Sequence, residues 1–220
     1  TLLTYLIGNN LLPENCRQAI LQCRLVALQK NGDPNDPRPI AIGEVFWKIA
    51  AFYCTGLSEE HFHDIFAPIQ FGHGEAGGSQ TAIHLLQAEL QLAGPNSAAL
   101  LLDQSNAFNT ADRHKMIEAV YKDPRLAYLH SIVQFGYGGN PTDLFITEHG
   151  KIIVTIKSKT GARQGCPLGT LLFCLFFNPI IIDITTQSSS LPTPSYPTQL
   201  TGKIKSIAIC DDLNQVAERP

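Results

Sequence analysis

Charge is scarce in this chain. Asp, Glu, Lys and Arg make up 16% of its 220 residues, and 19 acids against 16 bases leave a formal net charge of −3. A near-neutral chain has no overall electrostatic footprint for nucleic acid, which counts against a self-sufficient nucleic-acid binder but leaves room for a local basic groove. The six cysteines (Cys16, Cys23, Cys54, Cys166, Cys174 and Cys210) are scattered, with no CxxC pair and no histidine at zinc-ligand spacing. Several lie inside apolar runs, where Cys behaves as a small hydrophobe, so they read as reduced intracellular thiols. No signal peptide and no internal repeat is visible. The most apolar stretch, residues 168–184, is interrupted by Asn178-Pro179 and Asp183 and reads as too short for a membrane-spanning helix. Methionine is nearly missing too: the chain starts at Thr1, its one methionine is Met116, and it stops at Pro220 just past an acidic pair. This predicts a piece cut from a longer protein.

An apolar content of 44% over 220 residues is enough for a substantial core, in one domain or one domain with a lobe. Residues 1–30 carry apolar positions at helical spacing, broken at Gly8-Asn9-Asn10 and Pro13. A turn-rich stretch, 31–37, leads into a short strand at Arg38-Pro39-Ile40-Ala41-Ile42. Helices are expected over 44–54, with Trp47, Ile49 and Ala50 facing a core, and over 79–93, with Ser79 as N-cap after the glycine-rich loop 72–78. Two more are expected over 111–122 and 126–135. Residues 142–147 and 151–156 alternate as a hairpin about Glu148-His149-Gly150. Pro167 opens an apolar helix to about Phe177, and 187–198, rich in Ser, Pro and Thr, reads as a loop or flexible insertion.

Two short apolar runs end in carboxylates. Ala98-Ala99-Leu100-Leu101-Leu102 runs into Asp103, and Ile207-Ala208-Ile209-Cys210 runs into Asp211-Asp212. Both have the length and composition of buried strands. Taken singly, an Asp at a strand end is more often a turn residue or a helix cap. Two such clusters can instead converge on one edge of a sheet, where three carboxylates would repel one another unless a cation sat between them. Hard oxygen ligands suit Mg²⁺, so two-metal phosphoryl or nucleotidyl transfer is the first expectation. A third element, Gly161-Ala162-Arg163-Gln164-Gly165-Cys166-Pro167-Leu168-Gly169, joins the hairpin to the apolar helix with glycines that permit close backbone approach.

Asp103-x-x-Asn106-Ala107-Phe108-Asn109, then Arg163-Gln164-Gly165-Cys166-Pro167-Leu168-Gly169-Thr170-Leu171-Leu172-Phe173, then Asp211-Asp212 after a strand, resemble the A, B and C motifs of reverse transcriptases. Asn106-Ala107-Phe108-Asn109 and the upstream Arg38-Pro39-Ile40-Ala41-Ile42 are similar to those of retrotransposons that lack long terminal repeats (LINE-like elements). The segment from Gln70-Phe71-Gly72 to Ser79-Gln80-Thr81-Ala82-Ile83-His84 is similar to a further block of that family. The resemblance runs in the family's order from Arg38 to Asp212.

It implies an α/β (α+β) polymerase right-hand fold with fingers over 1–95 and palm over 96–220, in one reverse transcriptase domain from about 38 to 220. An antiparallel palm sheet would pack on the helices of 111–136 and 167–177. Asp103 and Asp211 would ligate two Mg²⁺ ions, with Asp212 completing the acidic cluster and the carbonyl of Gln104 contributing. Phe108 would be the gate that excludes a ribose 2′-OH, although a Phe at a helix start is equally at home in a core. Gln164 and Gly165 would line the floor beside nucleotide and template, and Arg38 would clamp the triphosphate, with Lys30 as a looser candidate.

The chain departs from the family in four places. Ile209-Cys210 replaces an aromatic and an alanine, Cys166 replaces a frequent Asp, Thr170 replaces a Pro or Ser, and, with the sequence ending at Arg219-Pro220, the resemblance implies that the palm lysine motif, the primer grip and the thumb are not in this piece. The implied activity is that of an RNA-directed DNA polymerase fragment, with RNA template, DNA primer and dNTPs as partners, no membrane, and an intracellular, nuclear setting in a eukaryotic host. A catalytically inactive relic and a nucleic-acid-binding module of the same fold are the alternatives. An RNA-directed RNA polymerase is disfavoured by Phe108, because such an enzyme needs room for the 2′-OH.

Overall fold

In chain order the elements are α1 (Leu2–Gly8), α2 (Glu14–Leu21), β1 (Cys23–Lys30), β2 (Asp33–Gly43), α3 (Val45–Gly56), α4 (Glu59–Phe66), α5 (Gly78–Leu92), β3 (Ala98–Leu102), α6 (Ala107–Thr110), α7 (Arg113–Lys122), a 3₁₀ helix (Pro124–Leu129), α8 (His130–Tyr137), β4 (Thr142–Glu148), β5 (Lys151–Ser158), α9 (Gly169–Ser190), β6 (Ile204–Ile209) and β7 (Asp212–Ala217). The structure is a computed structural model that describes residues 1–30, 33–93, 97–190 and 204–217, without the side chains of 30, 33–36 and 188–190. The chain divides into two compact units, each assembled from two chain segments: Thr1–Glu60 with Asn106–Phe173, and His61–Ser105 with Cys174–Pro220.

The first unit holds a four-stranded sheet in the order β2-β1-β4-β5. Here the helical spacing of residues 1–30 misleads in its last third. Cys23–Lys30 is a strand, paired antiparallel with β2 along its length and parallel with β4 at Cys23↔Leu144 and Arg24↔Phe145. Pairing on both sides overrides local helical periodicity, because a central strand satisfies its backbone groups through its neighbours. The expected short strand at 38–42 is part of a longer one whose backbone starts at Asp33, inside the stretch expected as a turn. The hairpin β4/β5 forms as expected, closed by His149 (φ +47) and Gly150 (φ +76).

Helices α1, α2, α3, α7 and α8 supply the core of this unit, where Ile7, Leu21, Trp47, Met116, Leu129 and Phe135 are buried. Ile49, expected in that core beside Trp47 and Ala50, is 50% exposed on the outer side of α3. Trp47 stacks on Phe135 with ring centroids 6.0 Å apart, and its indole occupies the space a Cβ on Gly136 would need. Arg17 is buried against the turn that follows α8, donating from Nε to the Phe135 carbonyl at 2.6 Å and from a terminal nitrogen to Glu14 at 3.0 Å. Asp112 caps α7 by accepting from the Lys115 amide, which starts that helix at Arg113 rather than at 111. The helix expected over 126–135 is a 3₁₀ turn followed by α8, since Pro124 and the Asp123 side-chain cap tighten its first turn.

The second unit holds a three-stranded antiparallel sheet in the order β3-β7-β6, with α5 against β6 and β7. Phe71, Ala82 and Ile207 form a core cluster with Leu86 and Ile209, and Lys205 pairs with Glu89 at 2.6 Å. Within this unit α5 covers β6 and β7, and α9 reaches the same sheet through the hydroxyls of Thr185 and Ser206, 2.5 Å apart. Ser79 does not cap α5: the N-cap is Gly77 in the left-handed region at φ +69, with no side-chain cap bond. β3 is an edge strand whose side chains are all exposed, Leu101 by 68%, where its composition had predicted a buried strand. An apolar run looks the same at an edge and at the centre of a sheet, so composition alone could not separate the two.

α9 runs through Pro179 to Ser190, past the expected end near Phe177 and into the stretch expected as a loop; residues 191–198 lie outside the described ones. Proline removes one helical hydrogen bond, but the buried side chains of Leu171, Leu172, Cys174, Phe177 and Ile181 hold the helix through it. Over Gly169–Gln187 this helix is long and apolar enough to cross a membrane by length and composition, which corrects the shorter estimate from sequence, and half of that window is buried inside the protein.

Phe62 and Phe66 of α4 enclose His73, with ring centroids 4.9 and 6.0 Å away. Burial lowers the His73 pKa from 6.5 to about 4. Between those values the unfolded chain takes up a proton that the folded chain refuses, so stability is lost as pH falls from 6.5 towards 4. The loss from this group amounts to at most about 3 kcal/mol. The urea midpoint is expected to fall across that window, and to fall less in His73→Phe; equal acid sensitivity of the two proteins would contradict the assignment.

Candidate functional site

The middle strand β7 decides where the carboxylates go. It pairs with β3 up to Leu102↔Leu213 and with β6 up to Ile209↔Asp212. Asp103 follows Leu102 directly and Asp212 precedes Leu213, so the register sets Asp103 beside Asp212, roughly 5 Å away in the hydrogen-bonding direction. Asp211 lies in the turn between β6 and β7. All three expected carboxylates thus come to one end of one sheet. Asp103 and Asp212 are exposed and Asp211 is half-buried, while Gln104, also half-buried, follows in the irregular link towards α6. Their hard oxygen donors suit Mg²⁺. Among the described residues, however, no group of three or more His, Cys, Asp or Glu side chains is gathered closely enough to hold a metal ion. The backbones converge, while the side chains are not drawn into a closed set of ligands.

The turn itself is unusual. Cys210 has φ +55, a left-handed conformation rare for a residue that is not Gly, Asn or Asp. Both its backbone groups bond to the Gln70 side chain, which accepts from Cys210 N–H at 2.8 Å and donates to Cys210 C=O at 3.0 Å. The Cys210 thiol donates to the Gly72 carbonyl at 3.7 Å. The buried Cys174 thiol donates to Cys210 in turn; that bond raises the Cys174 pKa, with burial adding to it, and lowers that of Cys210. In the sequence Gln70 stood out only as part of a block similar to the polymerase family. Its role depends on a partner 140 residues away, which no local pattern reveals.

The residues expected to handle the nucleotide all lie in the first unit, and backbone contacts draw them together. The Ala41 amide donates to the Gln164 carbonyl at 2.8 Å, which fastens the turn after β5 to the strand that carries Arg38. Gly165, at φ +94, lies so close to Ala41 that a Cβ would stand 2.7 Å from its carbonyl oxygen. The Ala162 amide donates to the Phe108 carbonyl at 2.7 Å, and Gly161 donates to Ala111 at 3.0 Å, so α6 is tied to the same turn. Arg38 and Gly165 are exposed and Gln164 is half-buried. Phe108, also half-buried, stacks on Phe173 with centroids 4.5 Å apart. The Lys30 side chain lies outside the described residues.

Arg163 is the anchor beneath this turn. Only 6% exposed, it donates to the Leu21 carbonyl at 3.1 Å, the Thr142 hydroxyl at 3.1 Å and the Gly136 carbonyl at 3.0 Å, and it lies over the Tyr137 ring at 4.9 Å. The Tyr137 hydroxyl, its pKa raised chiefly by burial, accepts from the Arg163 amide at 3.3 Å. This guanidinium is spent on the protein's own backbone and supports the turn from below.

The chain is similar to proteins of two kinds. Over 138 residues it is 32% identical to the retrotransposable element SLACS 132 kDa protein of Trypanosoma brucei gambiense, in a match covering 63% of this chain and 11% of that protein. Its fold resembles that of apo telomerase from Candida tropicalis truncated from the C-terminal domain, with a TM-score of 0.60, 10% identity, and 91% of this chain and 44% of that one covered. Telomerase from Candida albicans, solved with a fragment of telomeric RNA, gives a TM-score of 0.61 at 10% identity, covering 94% of this chain and 39% of that one. No family model matches the chain.

The fold is thus α/β of the polymerase right-hand class, the class of the telomerase core. The chain spans 11% of the length of its retrotransposable-element relative and less than half of the telomerase chains.

Replacing Arg163 with Met leaves two carbonyls and a hydroxyl without their donor. Arg163→Met is expected to cost on the order of 3 kcal/mol of folding stability, read from urea unfolding. A loss below about 1 kcal/mol would show that water replaces the guanidinium without penalty.

Proposed function

We propose that this chain is the fingers-and-palm part of an RNA-directed DNA polymerase of a retroelement, with fingers from residues 1–95 and palm from 96–220. Its reaction would be attack of a DNA primer 3′-hydroxyl on the α-phosphate of a dNTP, directed by an RNA template. The observation that carries this reading is the arrival of Asp103, Asp211 and Asp212 at one end of the β3-β7-β6 sheet in a fold shared with telomerase. In a eukaryotic host the work would take place in the nucleus.

Asp103, Asp211 and Asp212, with the Gln104 carbonyl, would hold two Mg²⁺ ions. Bound there, the ions would supply charge for the triphosphate and lower the pKa of the attacking hydroxyl. The chain's own residues bind and orient. The exposed guanidinium of Arg38 presents a planar fork that matches a phosphate bidentately. Gln164 and Gly165, seated on β2 by the bond from the Ala41 amide, offer a floor that a base or sugar can approach closely. The Phe108 ring, held flat against Phe173, is stiff enough to reject a 2′-hydroxyl by steric exclusion.

The test is primer extension on an RNA template with Mg²⁺ and dNTPs. Asp103→Asn and Asp211→Asn are each expected to lower the rate by about 10²-fold or more without loss of folding. Absence of extension by the unmodified protein, alone or with a polymerase thumb supplied, would favour an inactive relic. Phe108→Ala is expected to raise the use of ribonucleotides relative to deoxynucleotides by roughly tenfold or more in the same assay. An unchanged ratio would reassign Phe108 to core packing against Phe173.

A further inference from the structure

Gln70 is only 2% exposed, yet its amide is fully engaged by backbone groups. Oε1 accepts from the amides of Cys210 and Gly72, each at 2.8 Å, and Nε2 donates to the Cys210 carbonyl at 3.0 Å. The segment bearing Gln70 runs alongside β6 up to the turn, with Ala208 donating to Ile69 at 2.7 Å and Phe71 donating to Ala208 at 2.8 Å. One planar amide therefore grips both polar backbone groups of the residue that precedes Asp211.

That residue is the strained one. A Cβ-bearing side chain at φ +55 costs on the order of 1 kcal/mol or more and persists only where its surroundings over-determine it. Asn or Asp could offset the strain with a side-chain bond to their own backbone, which a thiol does poorly. Gln70 supplies from outside what Cys210 lacks. Gly72 closes the same grip: a Cβ there would collide with the Cys210 amide and lie 2.6 Å from its Sγ. A buried glutamine that merely satisfied a sheet edge would have no need to take both groups of the single left-handed residue between β6 and β7.

We propose that Gln70 is a positioning residue for Asp211 and Asp212. It holds Cys210 left-handed, which fixes the course of the turn and sets how well the carboxylates at the sheet end take a divalent cation. This rests on the metal-dependent reading given under Proposed function.

The experiment is Mn²⁺ binding to the purified protein, followed by the free-ion EPR signal, with amide hydrogen exchange at Cys210 and Asp211 measured alongside. Gln70→Leu is expected to weaken Mn²⁺ binding by about tenfold or more, the range found when groups that orient metal ligands are removed. Exchange at Cys210 should rise while protection of α8 amides is unchanged. Adding Cys210→Gly, which accepts positive φ without strain, should restore most of the affinity in the Gln70→Leu background. Gln70→Asn, too short to reach Cys210 but still a buried amide, should lose affinity as well, and it serves if Gln70→Leu does not fold. Full affinity in a folded Gln70→Leu or Gln70→Asn protein would overturn the positioning role and leave the metal-dependent reading standing. Lost affinity with no rescue by Cys210→Gly would overturn it too, assigning Gln70 to packing. Absence of Mn²⁺ binding by the unmodified protein would overturn the metal-dependent reading itself, and this inference with it.

Discussion

The candidate carboxylate centre depends on the pairing of β7 with strands on both of its sides. β3 arrives from an earlier part of the chain and β6 from the strand just before, and β7 meets both in antiparallel register. A slip of one residue against β3 would turn every side chain of that strand to the opposite face and carry Asp103 away from Asp212. The register is held by burial on both faces of the β6–β7 pair, with Ile207 and Val216 enclosed on one face and Ala208 and Leu213 on the other, and by the ion pair from Lys205 to α5. Because β3 itself is exposed, burial of its own side chains does not fix its alignment, which comes through hydrogen bonding to β7.

The first unit solves a different problem by similar means. Several of its connections are held by arginines bonded to backbone carbonyls. Arg17 fastens the turn after α8, Arg163 fastens Leu21 and Gly136, and Arg113 reaches the carbonyls of Ser158, Thr160 and Gly161 at 2.7–3.1 Å. A guanidinium has five donors in a fixed fork, so one side chain can satisfy several carbonyls that a loop would otherwise leave unpaired. The turn carrying Gln164 and Gly165 is thereby built on a rigid base, as the nucleotide floor proposed for it would require.

Much of this was readable in the residues. The runs ending in Asp103 and in Asp211-Asp212 are strands or strand ends, and the hairpin expected over 142–156 forms as β4 and β5, reaching Ser158. Their order along the chain pointed to a polymerase fold, and the fold agrees. Other elements were not readable, and for identifiable reasons. Cys23–Lys30 carries a helix-compatible pattern but lies between two strands. α9 passes through Pro179 because packed neighbours hold both of its halves. Ser79 has the chemistry of a cap, yet glycine at position 77 took the turn into α5 because that turn needs positive φ.

The amino-acid sequence by itself determined which residues are candidates for the chemistry: three carboxylates at strand ends, an arginine at the start of a short strand, and a glycine-flanked Arg-Gln-Gly turn. These are matters of residue type and local order, which a chain states openly. The tertiary structure alone decided how they are held. Gln70 grips Cys210 across 140 residues, and Arg163 reaches Leu21 across 142. Such contacts satisfy buried polar groups that have no partner nearby in the chain, so they leave no periodic or local signature and come into being only when distant segments meet.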